Sequence, residues 1–225
     1  MKVQAIIPTA GLGRRMNSST PKPFFLLNEK PLIIYTLQAI QKSNLVDSII
    51  LVVQRKYIRV FELLISRYRI KRVEKIIPGG ETRCQSVYNG LLNADEDTDI
   101  ILVHDGARPF IKVKIIDQAI KACQKYSAAV VAVPVKSTIK QVNLKTQNVE
   151  KTLDRSLLWE VQTPQVIKKD LFQKAYSRIK KFDLTDDAAV VETIGVKAKV
   201  VLGDYQNIKI TTQEDLIFAQ LLLRG

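Results

Sequence analysis

Apolar positions along this chain fall into short continuous runs separated by stretches with a three-to-four-residue rhythm. "VQAII" (Val3 to Ile7), "SIILVVQ", "DIILV" and "AAVVAVPV" are runs of the kind that fill a strand buried on both faces. Between them lie helical patterns. "LIIYTLQAIQKS" follows Pro31. The next carries Ile58, Phe61, Ile65 and Tyr68, and "TRCQSVYNGLLNA" has Thr82 near its cap. "VKIIDQAIKACQKY" buries Ile115, Ile116, Ala119, Ile120 and Cys123. Strand and helix in alternation predict an α/β fold of Rossmann-like type, a mostly parallel sheet with helices on both faces. "VEKIIPGG" is a further short strand ending on a glycine turn. Ligands of such sheets bind beyond the carboxyl ends of the strands. The loop after Val3 to Ile7, "PGG" and "HDGARP" all follow strands, so they should gather at one edge.

The alternation breaks near residue 136. Residues 136–158 are polar, with short two-residue alternation around a "TQN" turn, and read as a projecting β-hairpin arm on a single domain of residues 1–225. Beyond it the pattern predicts a strand at "VQTPQVI", a helix near 168–180, and a helix at "LTDDAAVVETIG" capped by Thr185 with Asp186 and Asp187 in its first turn. Late strands at "AKVVLGD" and "NIKITT" and a C-terminal amphipathic helix complete the reading.

Composition narrows the chemistry. With 225 residues and 46% hydrophobic content, the chain buries a core without disulfides or metals. One histidine and two cysteines without CxxC spacing argue against a dedicated zinc site and for a reduced cytoplasmic setting, or a plastid stroma in a plastid-bearing organism. No run is long enough to span a bilayer, and the N-terminal segment runs into a glycine turn too early for a signal peptide. The formal charge of +13 admits a nucleic-acid partner and a non-catalytic basic binding protein. Its cations are dispersed, however, without the aromatic interleaving of RNA-binding sheets. A small anionic substrate explains a basic site equally well.

The stretch "IIPTAGLGRRMNSSTPKPF" carries the clearest chemistry. Gly11 and Gly13 give a turn of bare backbone, and Arg14, Arg15 and Lys22 surround it with cations. Arg15 stands where a dinucleotide fingerprint has its third glycine, and no Walker A pattern occurs. A tight turn with solvated arginines is one reading. A nest of N–H groups around a triphosphate, with Arg15 and Lys22 countering charge that develops in phosphoryl or nucleotidyl transfer, is the other. In "LVHDGARPF", Asp105 and Arg108 lie three apart across Gly106, which lets carboxylate and guanidinium enter one crevice. A helix cap or ion-pair partner would also explain Asp105. No serine or cysteine sits in a nucleophile setting, and the lone His104 reads as structural.

Seven segments in order, "PTAGLGRRM", "PKPF", "PGGETRCQSV", "VHDGARPF", "DRSLLWEVQTPQ", "LTDDAAVVE" and "NIKIT", resemble the 2-C-methyl-D-erythritol 4-phosphate cytidylyltransferase family over essentially the whole chain. The resemblance implies transfer of a cytidylyl group from CTP to methylerythritol phosphate with release of pyrophosphate, in non-mevalonate isoprenoid synthesis. It implies catalytic roles for Arg15, Lys22, Arg155 and Lys209, the first two at the α-phosphate. Ala10, Gly11, Gly13, Gly80, Glu81, Ser86 and Asp105 would frame the nucleotide, with Gly80 and Ser86 near the cytosine. Asp105, Arg108, Thr138, Arg155, Thr185 and Lys209 would hold the sugar-alcohol phosphate. Thr138 and Arg155 lie in the arm and would serve a partner's site in a homodimer with exchanged arms. Mg²⁺ would bridge the triphosphate oxygens. No nucleic acid or membrane is implied. Departures from the family pattern are Thr9 and Gly106 where alanine is frequent, Pro23 for a glutamine and Glu81 for an aspartate. The exchange at Gly106 is expected to matter little. The nearest rival, ribitol 5-phosphate cytidylyltransferase, shares the loop and an "HD…RP" site but usually differs in the arm and before "QTPQ".

Overall fold

The computed structural model describes residues 1–11 and 21–224. In chain order the elements are β1 (Val3–Pro8), the two-residue strands β2 (Leu26–Leu27) and β3 (Lys30–Pro31), α1 (Leu32–Gln41), β4 (Ser48–Val53), α2 (Ile58–Arg67), β5 (Val73–Pro78), α3 (Arg83–Leu92), β6 (Ile100–Val103), α4 (Val113–Tyr126) and β7 (Ala128–Pro134). There follow β8 (Lys140–Val142), β9 (Val149–Thr152), β10 (Trp159–Lys168), α5 (Lys169–Tyr176), α6 (Asp187–Glu192), β11 (Lys199–Leu202) and α7 (Gln213–Leu222). Seven strands form one sheet in the order β11-β7-β10-β6-β1-β4-β5. All neighbours are parallel except β10, which runs antiparallel to β6 and β7. The exception follows from the connection. β10 returns beside β7 through the arm rather than through a crossover helix, and such a link reverses direction.

The expected alternation of faces is visible residue by residue. Val3, Ala5 and Ile7 of β1 point to one side, with Ile49, Leu51 and Val53 of β4, and pack under Ile33 and Leu37 of α1, Phe61 of α2 and Ile116 and Ile120 of α4. Ile6, Ile50, Val52, Ile101 and Val103 point to the other side, under Val87 and Leu91 of α3, Phe172 and Tyr176 of α5 and Val190 of α6. Each large side chain removed from water here contributes roughly 1.5–3 kcal/mol, which is why continuous apolar runs suffice to define the sheet. Cys84 and Cys123 are free and buried. Among the described residues no helix is long and apolar enough to cross a membrane.

Two expectations are corrected. Residues 207–212 form no strand. Their alternation is real, since Asn207 and Ile210 are fully buried, but the segment finds no ladder partner. It is pinned instead by single bonds: Ile210 N–H to the Ala107 carbonyl at 2.9 Å, Arg108 Nη1 to the Asn207 carbonyl at 2.7 Å, and Asn207 Nδ2 to the Thr163 carbonyl at 2.9 Å. The cap of α6 is Asp186, not Thr185. One Asp186 oxygen accepts from Ala189 N–H at 3.0 Å and the other from Gln165 Nε2 at 3.1 Å. A carboxylate satisfies both donors from two oxygens, which a hydroxyl does not. Thr82 does cap α3, accepting from Gln85 N–H. In the arm, β8 and β9 are exposed along their length and a Val135 N–H to Leu158 carbonyl bond of 3.0 Å closes the base.

Candidate active site

The carboxyl ends of β1, β4, β5 and β6 open into one cleft of about 740 Å³. Its lining brings together Ala10 and Gly11 from the first loop, Lys22, Gly80 and Glu81 from the loop after β5, Ser86 from the first turn of α3, Asp105 after β6, and Lys209. Gly13 and Arg15 lie outside the described residues. Close approach of loop to loop is what the glycines permit. A side chain on Gly79 would overlap the Ala10 methyl and lie 2.9 Å from Ser86 Oγ. Ser86 itself is a brace: its hydroxyl donates to the Thr82 carbonyl at 2.9 Å and accepts from Gly80 N–H at 3.1 Å. Gln54, at the end of β4, donates to the Ala10 carbonyl at 3.1 Å and steadies the opposite wall.

The floor of the cleft is an ion network around Asp105. Lys209 Nζ lies 2.7 Å from Asp105 Oδ2, and Arg83 Nε donates to Oδ1 at 2.9 Å. The terminal nitrogens of Arg83 fork onto Asp187, at 3.1 Å and 2.7 Å. Arg108 Nε is 3.7 Å from Asp105 Oδ2, and it is a buried donor without a hydrogen-bond partner among the described residues. Burial alone would raise the Asp105 pKa, but Arg83, Lys209 and Arg108 outweigh it and hold the carboxyl well below the usual carboxylate range. For Asp187 burial wins, and its pKa is raised despite Arg83. Burial opposes the Arg83 charge as well, but Asp187 and Asp105 together lift its pKa above the ordinary arginine value. Burial lowers that of Arg108.

His104 is fully buried and takes no part in the cleft surface. Its Nε2 faces the Arg108 carbonyl at 3.1 Å and its Nδ1 faces Thr163 Oγ1 at 2.9 Å. A carbonyl only accepts, so Nε2 carries the proton and Nδ1 accepts from Thr163. Burial pushes its pKa down to about 4, leaving a neutral imidazole. The structural reading of His104 is the one this geometry supports.

Not every anticipated residue reaches the cleft. Arg108 is buried behind Asp105. Thr185 is exposed, two residues before Asp187. Thr138 and Arg155 stand in the arm, where Arg155 Nη1 donates to the Lys136 carbonyl at 2.9 Å. Arg83, Asp187 and the cleft-lining Arg55 were missed. Arg83 lies within the motif "PGGETRCQSV", but nothing in its neighbourhood announces a carboxylate 104 positions away.

What the cleft can do follows from its groups. Bare backbone and cations suit a polyphosphate, the lone histidine is neutral and fully hydrogen-bonded, and among the described residues no cluster of histidine, cysteine or carboxylate groups forms a metal cage. Comparison with known proteins gives the family. The family model described as 2-C-methyl-D-erythritol 4-phosphate cytidylyltransferase matches residues 3–225. Relatives carrying that name include one from Alkaliphilus metalliredigens, 44% identical over 99% of this chain and 93% of its own. Another, from Geobacillus kaustophilus, is 44% identical over 99% and 97%. The crystal structure of 4-diphosphocytidyl-2C-methyl-D-erythritol synthase from Anaerococcus prevotii superposes with a TM-score of 0.87 at 32% identity, covering 100% of this chain and 96% of that one.

Proposed function

The chain belongs to the 2-C-methyl-D-erythritol 4-phosphate cytidylyltransferase family, and from that membership we propose how its cleft divides the work. The enzyme transfers a cytidylyl group from CTP to 2-C-methyl-D-erythritol 4-phosphate and releases pyrophosphate, a step of the non-mevalonate isoprenoid route. The observation that carries the division is the single cleft in which Lys22 and bare loop backbone share a wall system with the Asp105–Lys209 pair.

The triphosphate lies by Gly11 and Lys22, with Lys22 at the α-phosphate, a role that the family resemblance also gives Arg15. The base lies against Gly80, Glu81 and the braced Ser86. The acceptor phosphate meets Lys209 beside Asp105, and Arg108 supports it from behind through Asp105 and the segment carrying Lys209. An acceptor oxygen attacks the α-phosphorus, and the bond to the bridging oxygen breaks with its electron pair leaving on pyrophosphate. The nucleophile is already an anion, so no strong general base is required, in keeping with a neutral His104. The obstacle is repulsion between anions and charge on the leaving group, which fixed cations answer. Mg²⁺ would be carried in with the triphosphate rather than held in a protein cage. Among the described residues Glu81 and Asp105 are the carboxylates lining the cleft, and Asp105 has both oxygens engaged. So carried, Mg²⁺ would neutralise charge on the departing pyrophosphate.

The arm completes a neighbour's site in a homodimer, bringing Thr138 and Arg155. Support comes from its exposed apolar residues, Leu144 at 92% and Leu157 at 77% exposure, and from the absence of Arg155 from its own cleft. A substrate panel tests the functional reading. Pyrophosphate release from CTP and Mg²⁺ should be fast with methylerythritol phosphate and slow with ribitol 5-phosphate; the reverse order contradicts it.

A further inference from the structure

Arg83 begins α3, directly after the loop that lines the base side of the cleft, yet its guanidinium works on the other side. Three of its five N–H bonds are committed: one to Asp105 Oδ1 and two, as a fork, to Asp187. Asp187 has a side chain only 1% exposed, does not line the cleft, and has Arg83 as its ion-pair partner among the described residues. Its fork fixes the plane of the guanidinium. That plane fixes which Asp105 oxygen Arg83 takes, and the other oxygen is left to seat Lys209 at 2.7 Å.

We propose that Arg83 is a positioning residue for the acceptor phosphate, acting through Asp105 on Lys209 and held in register by Asp187. The proposal rests on the assignment of Lys209 to that phosphate. Its physical basis is the sharing of one buried carboxylate. With Arg83 supplying a full positive charge to Oδ1, Asp105 needs only one of the three ammonium donors of Lys209. Lys209 lines the cleft and its side chain is 38% exposed, which leaves room there for a ligand. Were Arg83 to swing away, Asp105 would turn both oxygens toward Lys209 and Arg108, whose Nε already stands 3.7 Å from Oδ2 without a hydrogen bond. Lys209 would then be drawn down and away from the ligand. Asp187, which does not line the cleft, thereby acquires a specific kinetic signature. A girder joining α3 to α6 and nothing more would disturb both substrates alike.

The test uses the full-length enzyme and initial rates of pyrophosphate release with CTP and methylerythritol phosphate. The variants are Lys209→Ala, Asp187→Asn, Arg83→Lys and the double variant Asp187→Asn/Lys209→Ala, each checked for folding by thermal melting. Lys209→Ala should raise the KM for the acceptor. Asp187→Asn keeps the shape but spoils the fork, and should raise the acceptor KM about tenfold while the CTP KM moves by less than about twofold. In the Lys209→Ala background Asp187→Asn should add nothing further. Arg83→Lys keeps a cation at Asp105 without the fork, and should reproduce the Asp187→Asn pattern; it supplies the same comparison should Asp187→Asn not fold. If Lys209→Ala leaves the acceptor KM unchanged, the assignment of Lys209 falls, and this proposal with it. If Lys209→Ala behaves as expected but Asp187→Asn is silent, shifts both KM values equally, or multiplies with Lys209→Ala, the role of Arg83 alone is overturned.

Discussion

The single histidine offers an unusually clean titration. His104 is buried, donates from Nε2 to the Arg108 carbonyl and accepts at Nδ1 from Thr163, so its neutral form fits and its cation would face a hydroxyl proton. Its pKa falls from 6.5 to about 4 on folding, because burial penalises the charge. The unfolded chain therefore binds a proton that the folded chain refuses. The His104 contribution to stability is full above about pH 6.5, declines as pH falls toward about 4, and loses on the order of 3 kcal/mol in all, at about 1.4 kcal/mol per pH unit. Asp105, with its pKa depressed, acts in the same direction below the unfolded carboxylate range, and Asp187, with its pKa raised, acts in the opposite one just above it, so the upper part of the window belongs to His104. Urea unfolding at half-unit steps between pH 7.5 and 4.5 measures the slope, and His104→Gln should flatten it whatever it does to absolute stability. NMR of the folded protein should show one imidazole with no titration above pH 5. An imidazole that titrates near 6.5 in the folded state, or a slope unchanged in the variant, would refute the reasoning.

Further outcomes follow from the same geometry. Lys22→Ala should lower kcat by about 10²–10³-fold while CTP binding falls much less, because its charge is needed most where charge develops; near-normal turnover would show the assignment to be wrong. Gly106→Ala, expected from sequence to matter little, should instead cost roughly 1–3 kcal/mol, because the new methyl would overlap Thr9 Cγ2 and sit 3.0 Å from Ile33 Cδ1. Thr9 holds that methyl in place through its Oγ1 bond of 3.1 Å to the Val52 carbonyl. Most of the cost should therefore vanish in a Thr9→Ala background, and equal costs in both backgrounds on thermal melting would contradict the packing argument.

The elements that could be read from sequence are those whose pattern is local. β1, β4, β6 and β7 are buried on both faces, so each is an apolar run, and the helices between them announce their buried stripe through spacing alone. The same locality explains the errors. Residues 207–210 alternate like a strand because they too bury every few side chains, but whether a ladder partner is free depends on the whole sheet. Thr185 and Asp186 are both good caps by type, and only the distant Gln165 decides for Asp186. The cleft was legible wherever chemistry and a glycine turn coincide, as at Gly80 and Asp105. Arg83 was not, since an arginine opening a helix looks like any solvated cation until Asp187 is folded against it. The cost of a methyl at Gly106 was hidden for a like reason, because its neighbour Thr9 is distant in sequence.

The proposal that catalysis takes place in a cleft completed by a second chain is tested most directly by mixing two dead enzymes. Lys22→Ala and Arg155→Ala homodimers should each be nearly inactive. Refolded together, a mixed dimer with exchanged arms holds one site with both residues intact and one lacking both, so random pairing should restore about a quarter of all sites. Native mass spectrometry establishes that mixed dimers have formed. Recovery near that fraction is the predicted result. No recovery from verified mixed dimers would mean that Arg155 serves its own chain, and would contradict the account.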